Sequence, residues 1–291
     1  MTAAVKRPPK RIGMSPWVLL APSTVLLVLL FGWPLVQGVL AAFQDGDGFT
    51  LAHWERLFGD PYFGQALLNT LLLIVIVVPI QLVLAVGMTL LIQAKPKLAG
   101  LHFYIWAIPL AISDLAAGLV WLTVFADRGY LNSLLIGLGL SENGIAWLSY
   151  DNPTTMLLAV VVAEIWRATS MVFVIVVAGV QMMPPDYDEA AQVFGASAWQ
   201  RLWHVTLPLL RPSLQVALIL RTILALQAFA VAQALTGRNF PLLVGETYQW
   251  YVNLQNPAVA SAVALVILAL SLGTAILYMR ALRQPSAGGP R

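Results

Sequence analysis

The chain has no cysteine among its 291 residues, which excludes disulfides and thiolate metal sites. Charge is scarce as well: 10% of residues are Asp, Glu, Lys or Arg, where a soluble domain carries about 25%. No Gly-x4-Gly-Lys-Ser/Thr run occurs, so the chain has no P-loop with which to cradle ATP. His-Glu-x-x-His and Gly-x-Ser-x-Gly are also missing, which removes the signatures of two common hydrolase classes. His53, His102 and His204 stand isolated, without a second ligand at metal spacing. Neither an internal repeat nor a separate soluble domain is visible. Catalysis by this chain alone is therefore not expected, and no cofactor or metal is expected within it. The net charge of +3 is explained by the placement of basic residues in loops and gives no reason to expect nucleic acid.

What the chain has in abundance is apolar sequence, 59% of the total. Six long hydrophobic segments cover about 17–43, 64–93, 101–125, 155–183, 213–236 and 258–282. Each exceeds the ~20 residues that cross a 30 Å hydrocarbon core. The expected fold class is thus an all-α integral membrane protein with six spanning helices, a transmembrane domain over 17–283. Residues 1–16 form a basic, proline-rich tail and 284–291 a short tail at the other end. The first segment is too long for a signal-peptide core and is expected to be a retained membrane helix.

Lysine and arginine fix the expected sidedness. One set of loops and ends holds Lys6, Arg7, Lys10, Arg11, Lys95, Lys97, Arg201, Arg211, Arg280, Arg283 and Arg291, and the other only Arg56, Arg128 and Arg238, eleven against three. Both termini and the loop at 184–212 are therefore expected on the cytoplasmic side.

That loop is the most polar stretch between two apolar segments. It contains Glu189-Ala190-Ala191, three residues, Gly195, nine residues, Val205, one residue, and Leu207-Pro208. Pro184 and Pro185 forbid continuation of the incoming helix. Asp186 or Asp188 is expected to cap a new short helix carrying Glu189 in its first turn, where the helix dipole favours negative charge. Ala190 and Ala191 leave a flat face, and Gly195 permits the turn that follows. Pro208 and Pro212 are expected to close the loop.

The spacing resembles the EAA loop of the membrane subunits of binding-protein-dependent ABC importers, with Val205 in place of isoleucine. Six of its seven fixed positions are met. Sugar importers commonly carry Asp before the glycine, where this chain has Phe194. Further likenesses lie in Trp54-Glu55-Arg56-Leu57-Phe58, in Asn69-Thr70, and in Ala234-Leu235-Thr236-Gly237, so the resemblance covers nearly the whole chain. It implies a six-helix type I importer permease fold with a cytoplasmic coupling helix. Asp188, Glu189, Ala190, Ala191, Gly195, Leu207 and Pro208 are then the expected ATPase-coupling residues. The implied partners are a second, homologous permease subunit, two cytoplasmic ATP-binding subunits that hold the ATP and Mg, an extracytoplasmic solute-binding protein, and the lipid bilayer. The implied substrate is a sugar, from mono- to oligosaccharide, or a related polyol. The implied location is a bacterial or archaeal cytoplasmic membrane.

Four ionisable residues fall inside the apolar segments: Asp114, Glu164, Arg167 and Arg221. Each costs about 2.5–3.5 kcal/mol on insertion scales, so each is expected to face the bundle interior or a wet cavity. Their charges sum to zero, and Glu164 and Arg167 share a helix face at i, i+3. Two roles stay open: an ion-pair network that fixes packing, or a lining for the translocation pathway. Resemblance to maltose-type permeases points to Glu164, Arg167 and Ala168 in segment four and to Arg221, Ala225 and Ala228 in segment five as pathway positions. The last three stand at i, i+4, i+7, which places them on one helical face; Asp114 is a further candidate. Two other classes compete. An ion-coupled secondary transporter would use these charges as a relay, and such folds often contain inverted repeats and helices broken at mid-membrane. An intramembrane enzyme would use Asp114 and Glu164 as a carboxylate pair, an idea that the neighbouring arginines oppose.

Overall fold

Asx-Pro dipeptides start three of the long helices. Asp60-Pro61, Asn152-Pro153 and Asn256-Pro257 each place an oxygen acceptor at the N-cap and a proline at the first helical position. The caps accept from the backbone N–H groups of Tyr62, Thr155 and Val259. The side chain thus satisfies a donor that the helix leaves orphaned, while proline forgoes one that would be unpaired anyway.

The computed structural model describes residues 16–46, 48–94 and 97–282. The expected tails at 1–16 and 284–291 fall almost wholly outside these residues. Helix α1 runs over Trp17–Phe43, with a π-helical turn at Val28–Gly32. A two-residue hairpin, β1 Gln44–Asp45 and β2 Gly48–Phe49, pairs Gln44 with Phe49 and Asp45 with Gly48. There follow α2 Ala52–Phe58, α3 Pro61–Gln93, α4 Ala99–Ala111, α5 Asp114–Phe125 and α6 Tyr130–Gly137. The second half of the chain holds α7 Pro153–Gln181, α8 Asp186–Val193, α9 Ala198–Leu226, α10 Ala230–Thr236, α11 Leu243–Tyr248 and α12 Pro257–Ala281.

Five of these helices, α1, α3, α7, α9 and α12, are long and apolar enough to cross a membrane; the bent pair Ala99–Ala111 and Asp114–Gly137 supplies a sixth if it counts as one span. Large apolar side chains cover the outside, among them Leu29, Leu30 and Phe31 on α1 and Val75 and Val83 on α3. A soluble monomer does not expose so much apolar surface, whereas lipid covers it without cost. Inside, α3 contributes to all three buried clusters. The first joins it to α1, α2, α9, α11 and α12, the second to α5, α7 and α10, and the third to α7 and α9. Helices α3, α7 and α9 pack on one another and form the centre of the bundle.

Three expectations need correction. Segment three is not one helix: the stretches Ala99–Ala111 and Asp114–Gly137 meet at 102°. Ser113 adopts extended backbone there and its side chain accepts from Ala116 N–H, which starts α5 anew. Asp114 accordingly sits in a first helical turn and not at mid-helix. Second, Pro208 and Pro212 do not close the loop, because α9 runs through both. Leu202–Thr206 forms a π-helical turn in which Leu207 N–H donates to Leu202 O. The hydrogen-bond ladder is thus already re-registered where Pro208 withholds its donor. Third, segment five does not continue to Thr236: α9 stops at Leu226, and α10 restarts at Ala230 and packs against α5. A Cβ on Gly118 would lie 2.6 Å from Ala234 Cβ, so glycine is what lets those two helices approach.

Candidate functional site

Two groups of residues stand apart from ordinary packing. The first is the element between α7 and α9. No residue of α8 is buried, and its sequence Asp-Tyr-Asp-Glu-Ala-Ala-Gln-Val is too polar for lipid to cover it. Its first turn carries Asp186, Asp188 and Glu189, but neither aspartate caps it. Pro185 occupies the N-cap position in helical conformation and no side chain caps the end. Asp188 is engaged elsewhere: its Oδ2 accepts from Gln192 Nε2 at 2.7 Å and pairs with Arg201 at 3.3 Å, tying α8 to the start of α9. Glu189 and Ala190 are exposed and Ala191 half-buried.

Gly195 ends the element at φ +79°, the left-handed conformation that favours glycine. Its N–H donates to Gln192 O and that of Ala196 to Ala191 O, which satisfies carbonyls at the helix end. Ser197 and Gln200 then form a capping box at the start of α9. The Ser-x-x-Gln spacing was available in the sequence as a start signal. Leu207 and Pro208 lie two turns further along α9, half-buried. Around this polar element stand bare apolar side chains, Val193 and Phe194 at its tip and Trp199 and Trp203 on α9. Clustered apolar exposure of this kind marks a contact surface for protein or membrane. Behind it α7 and α9 touch closely: a Cβ on Gly179 would overlap the side chain of Ser213.

The second group is the set of intramembrane charges, and the structure brings all four together. Arg167 on α7 reaches Asp114 at 2.7 Å and Glu164 at 3.3 Å. Glu164 Oε2 also accepts from Arg221 on α9 at 2.9 Å. Gln81 on α3 completes the set: its Oε1 accepts from Arg221 Nε at 2.6 Å and its Nε2 donates to Glu164 O at 2.8 Å. Gln81 was missed in the sequence, although a polar amide in the middle of a 33-residue apolar helix is the kind of signal that finds such a partner. The network is graded in exposure. Arg221 and Glu164 are 1% and 2% exposed, whereas the side chains of Arg167 and Asp114 are 17% and 52% exposed. Arg221 Nη1 and Arg167 Nε have no partner.

Ala168, Ala225 and Ala228 do not join this group. Ala168 is buried on α7. Ala225 is sealed in the cluster with α12, and Ala228 in the one with α5 and α7. The face expected to present Arg221, Ala225 and Ala228 stops at Leu226, since Ala228 lies in the break before α10. Among the described residues no three His, Asp or Glu side chains gather as metal ligands.

The Asn69-Thr70 pair acquires a physical reason. Asn69 donates to Pro241 O at 3.0 Å, and Thr70 Oγ1 accepts from Leu243 N–H at 3.1 Å. These bonds hold the loop between α10 and α11 against α3.

Comparison with known proteins agrees with this architecture. The family described as "Binding-protein-dependent transport system inner membrane component" matches residues 48–283. The sulfoquinovosyl glycerol transport system permease protein SmoG of Agrobacterium fabrum is 32% identical, over 91% of this chain and 89% of its own. The sn-glycerol-3-phosphate transport system permease protein UgpA of Brucella abortus is 30% identical, over 91% and 93%. In a crystal structure of a bacterial ABC transporter involved in import of the acidic polysaccharide alginate, one chain superposes with a TM-score of 0.77 at 20% identity, covering 93% of this chain and 95% of that one. The fold is that of a type I ABC importer permease.

Proposed function

The chain belongs to the family of binding-protein-dependent transport system inner membrane components, and on that premise we propose that it forms half of the translocation pathway of an ATP-driven sugar importer. Membership makes it a multi-pass, non-catalytic membrane subunit. In the proposal, α8 is the coupling helix: a cleft of a cytoplasmic ATPase subunit receives Glu189, Ala190 and Ala191, with Val193 and Phe194 at its edge. ATP and Mg are bound by two such subunits, and a second permease and an extracytoplasmic solute-binding protein complete the assembly. Both ends of the chain share the cytoplasmic side with α8, as the lysine and arginine bias supports.

The observation that carries this reading is a folded helix with nothing buried, fixed at both ends to the bundle. Proline at its start, Gly195 at its end and the Asp188–Arg201 pair orient it. Because α7 and α9 flank it and pack tightly, displacement of α8 moves two central helices together. Closure of the ATPase dimer then rocks the bundle between inward- and outward-facing states, a bistable rigid-body change. The substrate class, a sugar or related polyol, rests on the relatives that carry sulfoquinovosyl glycerol and glycerol 3-phosphate.

The break between α4 and α5 is a feature that ion-coupled transporters also use. It does not favour that class here, since family membership and an exposed docking helix are left unexplained by it. The test is uptake into proteoliposomes containing the whole complex. Transport is expected to require ATP and a loaded binding protein and to vanish in Glu189→Lys while that variant stays in the membrane. Uptake driven by an ion gradient without ATP would overturn the proposal.

A further inference from the structure

The junction of α4 and α5 sits where a membrane protein tolerates polar backbone least. Neither helix has the ~20 residues that a span needs, so the break between them falls inside the membrane. The Arg167–Asp114 pair sets its depth, because Arg167 stands midway along α7 Pro153–Gln181. Ile112 and Ser113 are extended there. Among the described residues no backbone N–H closes a turn on the carbonyls of Leu110, Ala111 and Ile112. Asp114 follows at once with its side chain half exposed. Hydrocarbon offers such groups no hydrogen bond, so non-helical backbone at this depth is covered by protein or water, not by lipid. A carboxylate obeys the same rule.

The neighbouring side chains decide between protein and water. Ile108, Leu110 and Leu115 flank the break and are each more than half exposed. Water would satisfy the carbonyls but leave these apolar side chains wet, whereas a helix of another membrane chain covers both kinds of surface. Ala111, Ser113 and Ala116 are exposed and small, and small residues let the backbones of membrane helices approach closely. Charge then selects the chemistry of that helix. Asp114, Glu164, Arg167 and Arg221 pair with one another and sum to zero. A lysine or arginine added at this depth would stand uncompensated. Neutral donors, a hydroxyl or an amide, suit the carbonyls instead.

We propose that the α4–α5 junction is a seam between this chain and the second permease subunit. One membrane helix of that subunit lies across Leu110–Ala116, and a hydroxyl or amide on it donates to the carbonyls that the break leaves open. The broken helix is then a contact surface, with its acceptors exposed for a partner's donors. The presence of a second permease rests on the importer reading; closure of the junction to lipid rests on the geometry.

The absence of cysteine supplies the test. In the whole complex in lipid nanodiscs, Leu110→Cys and, on the outside of α3, Val83→Cys each introduce the only thiol of this chain. Each carries a nitroxide, read against the same complex with the unaltered chain, and relaxation by oxygen reports lipid while relaxation by a nickel chelate reports water. The Leu110→Cys label is expected to be severalfold less accessible to oxygen than the Val83→Cys label, and closed to the chelate as well. A benzophenone at Leu110→Cys is expected to yield an adduct with the second permease. Oxygen access equal to that at Val83→Cys would place lipid at the junction and overturn the seam. Ready access of the chelate would place water there and overturn it too. ATP-dependent uptake by the same preparations separates the two readings. Uptake intact with Leu110→Cys open to either reagent strikes the seam alone. A shielded label and an adduct with another permease chain, without ATP-dependent uptake, strike the importer reading and leave the seam standing.

Discussion

The element at 186–197 and the charge network of α3, α5, α7 and α9 are both polar, but they are built on opposite plans. In α8 nothing is buried, and apolar side chains stand uncovered beside Glu189. In the network Arg221 and Glu164 are sealed, and each charge has an opposite charge within reach. A polar group that leaves the fold's interior for a bare surface keeps its binding capacity for another molecule. One that is paired inside has used most of that capacity on its own chain. The first plan predicts effects on coupling with little change in stability, the second the reverse.

Arg221→Met gives the largest expected effect. It leaves Glu164 buried with only the 3.3 Å contact to Arg167, and breaking a buried pair in this way costs about 3–5 kcal/mol. Thermal unfolding in detergent is expected to fall steeply, and the double variant Arg221→Met, Glu164→Gln is expected to recover most of the loss. Equal destabilisation in the single and double variants would show that packing volume, not charge, decides. Gly195→Val comes next. A Cβ at that position meets nothing within 4 Å, so the cost is that of the left-handed backbone alone, about 1–3 kcal/mol. Coupling is expected to be lost while the bundle stays folded, read as ATPase activity that no longer responds to the loaded binding protein. Asp114→Asn is expected to cost least, about 0–1 kcal/mol, because its side chain is half exposed and screened. A loss there as large as that for Arg221→Met would contradict the graded exposure of the network.

Hydropathy and charge made much of this legible, and their failures have physical causes. Segment one was read over the same residues that α1 occupies. Starts at 64, 155 and 258 came one to three residues late, because polar cap residues lower an apolar average while they build the helix end. The break before Asp114 was invisible for the opposite reason: Ala107 to Ile112 is apolar throughout except for Pro109, and hydropathy does not register Ser113 as a start signal. Pro208 misled because a π-helical turn, which has no composition of its own, prepares its place. Charges summing to zero suggested mutual pairing, which the geometry realises. Gln81 was overlooked because neutral amides do not enter that sum.

The central claim is that α8 presents its exposed tip to an ATPase. The most direct measurement attaches a benzophenone maleimide to a single cysteine in the otherwise cysteine-free chain and illuminates the assembled complex. Val193→Cys, at the tip of α8, is expected to yield a covalent adduct with the ATPase subunit. Tyr251→Cys, exposed in the turn between α11 and α12, is expected to yield none. Equal adducts from both positions, or an adduct only from Tyr251→Cys, would contradict the account.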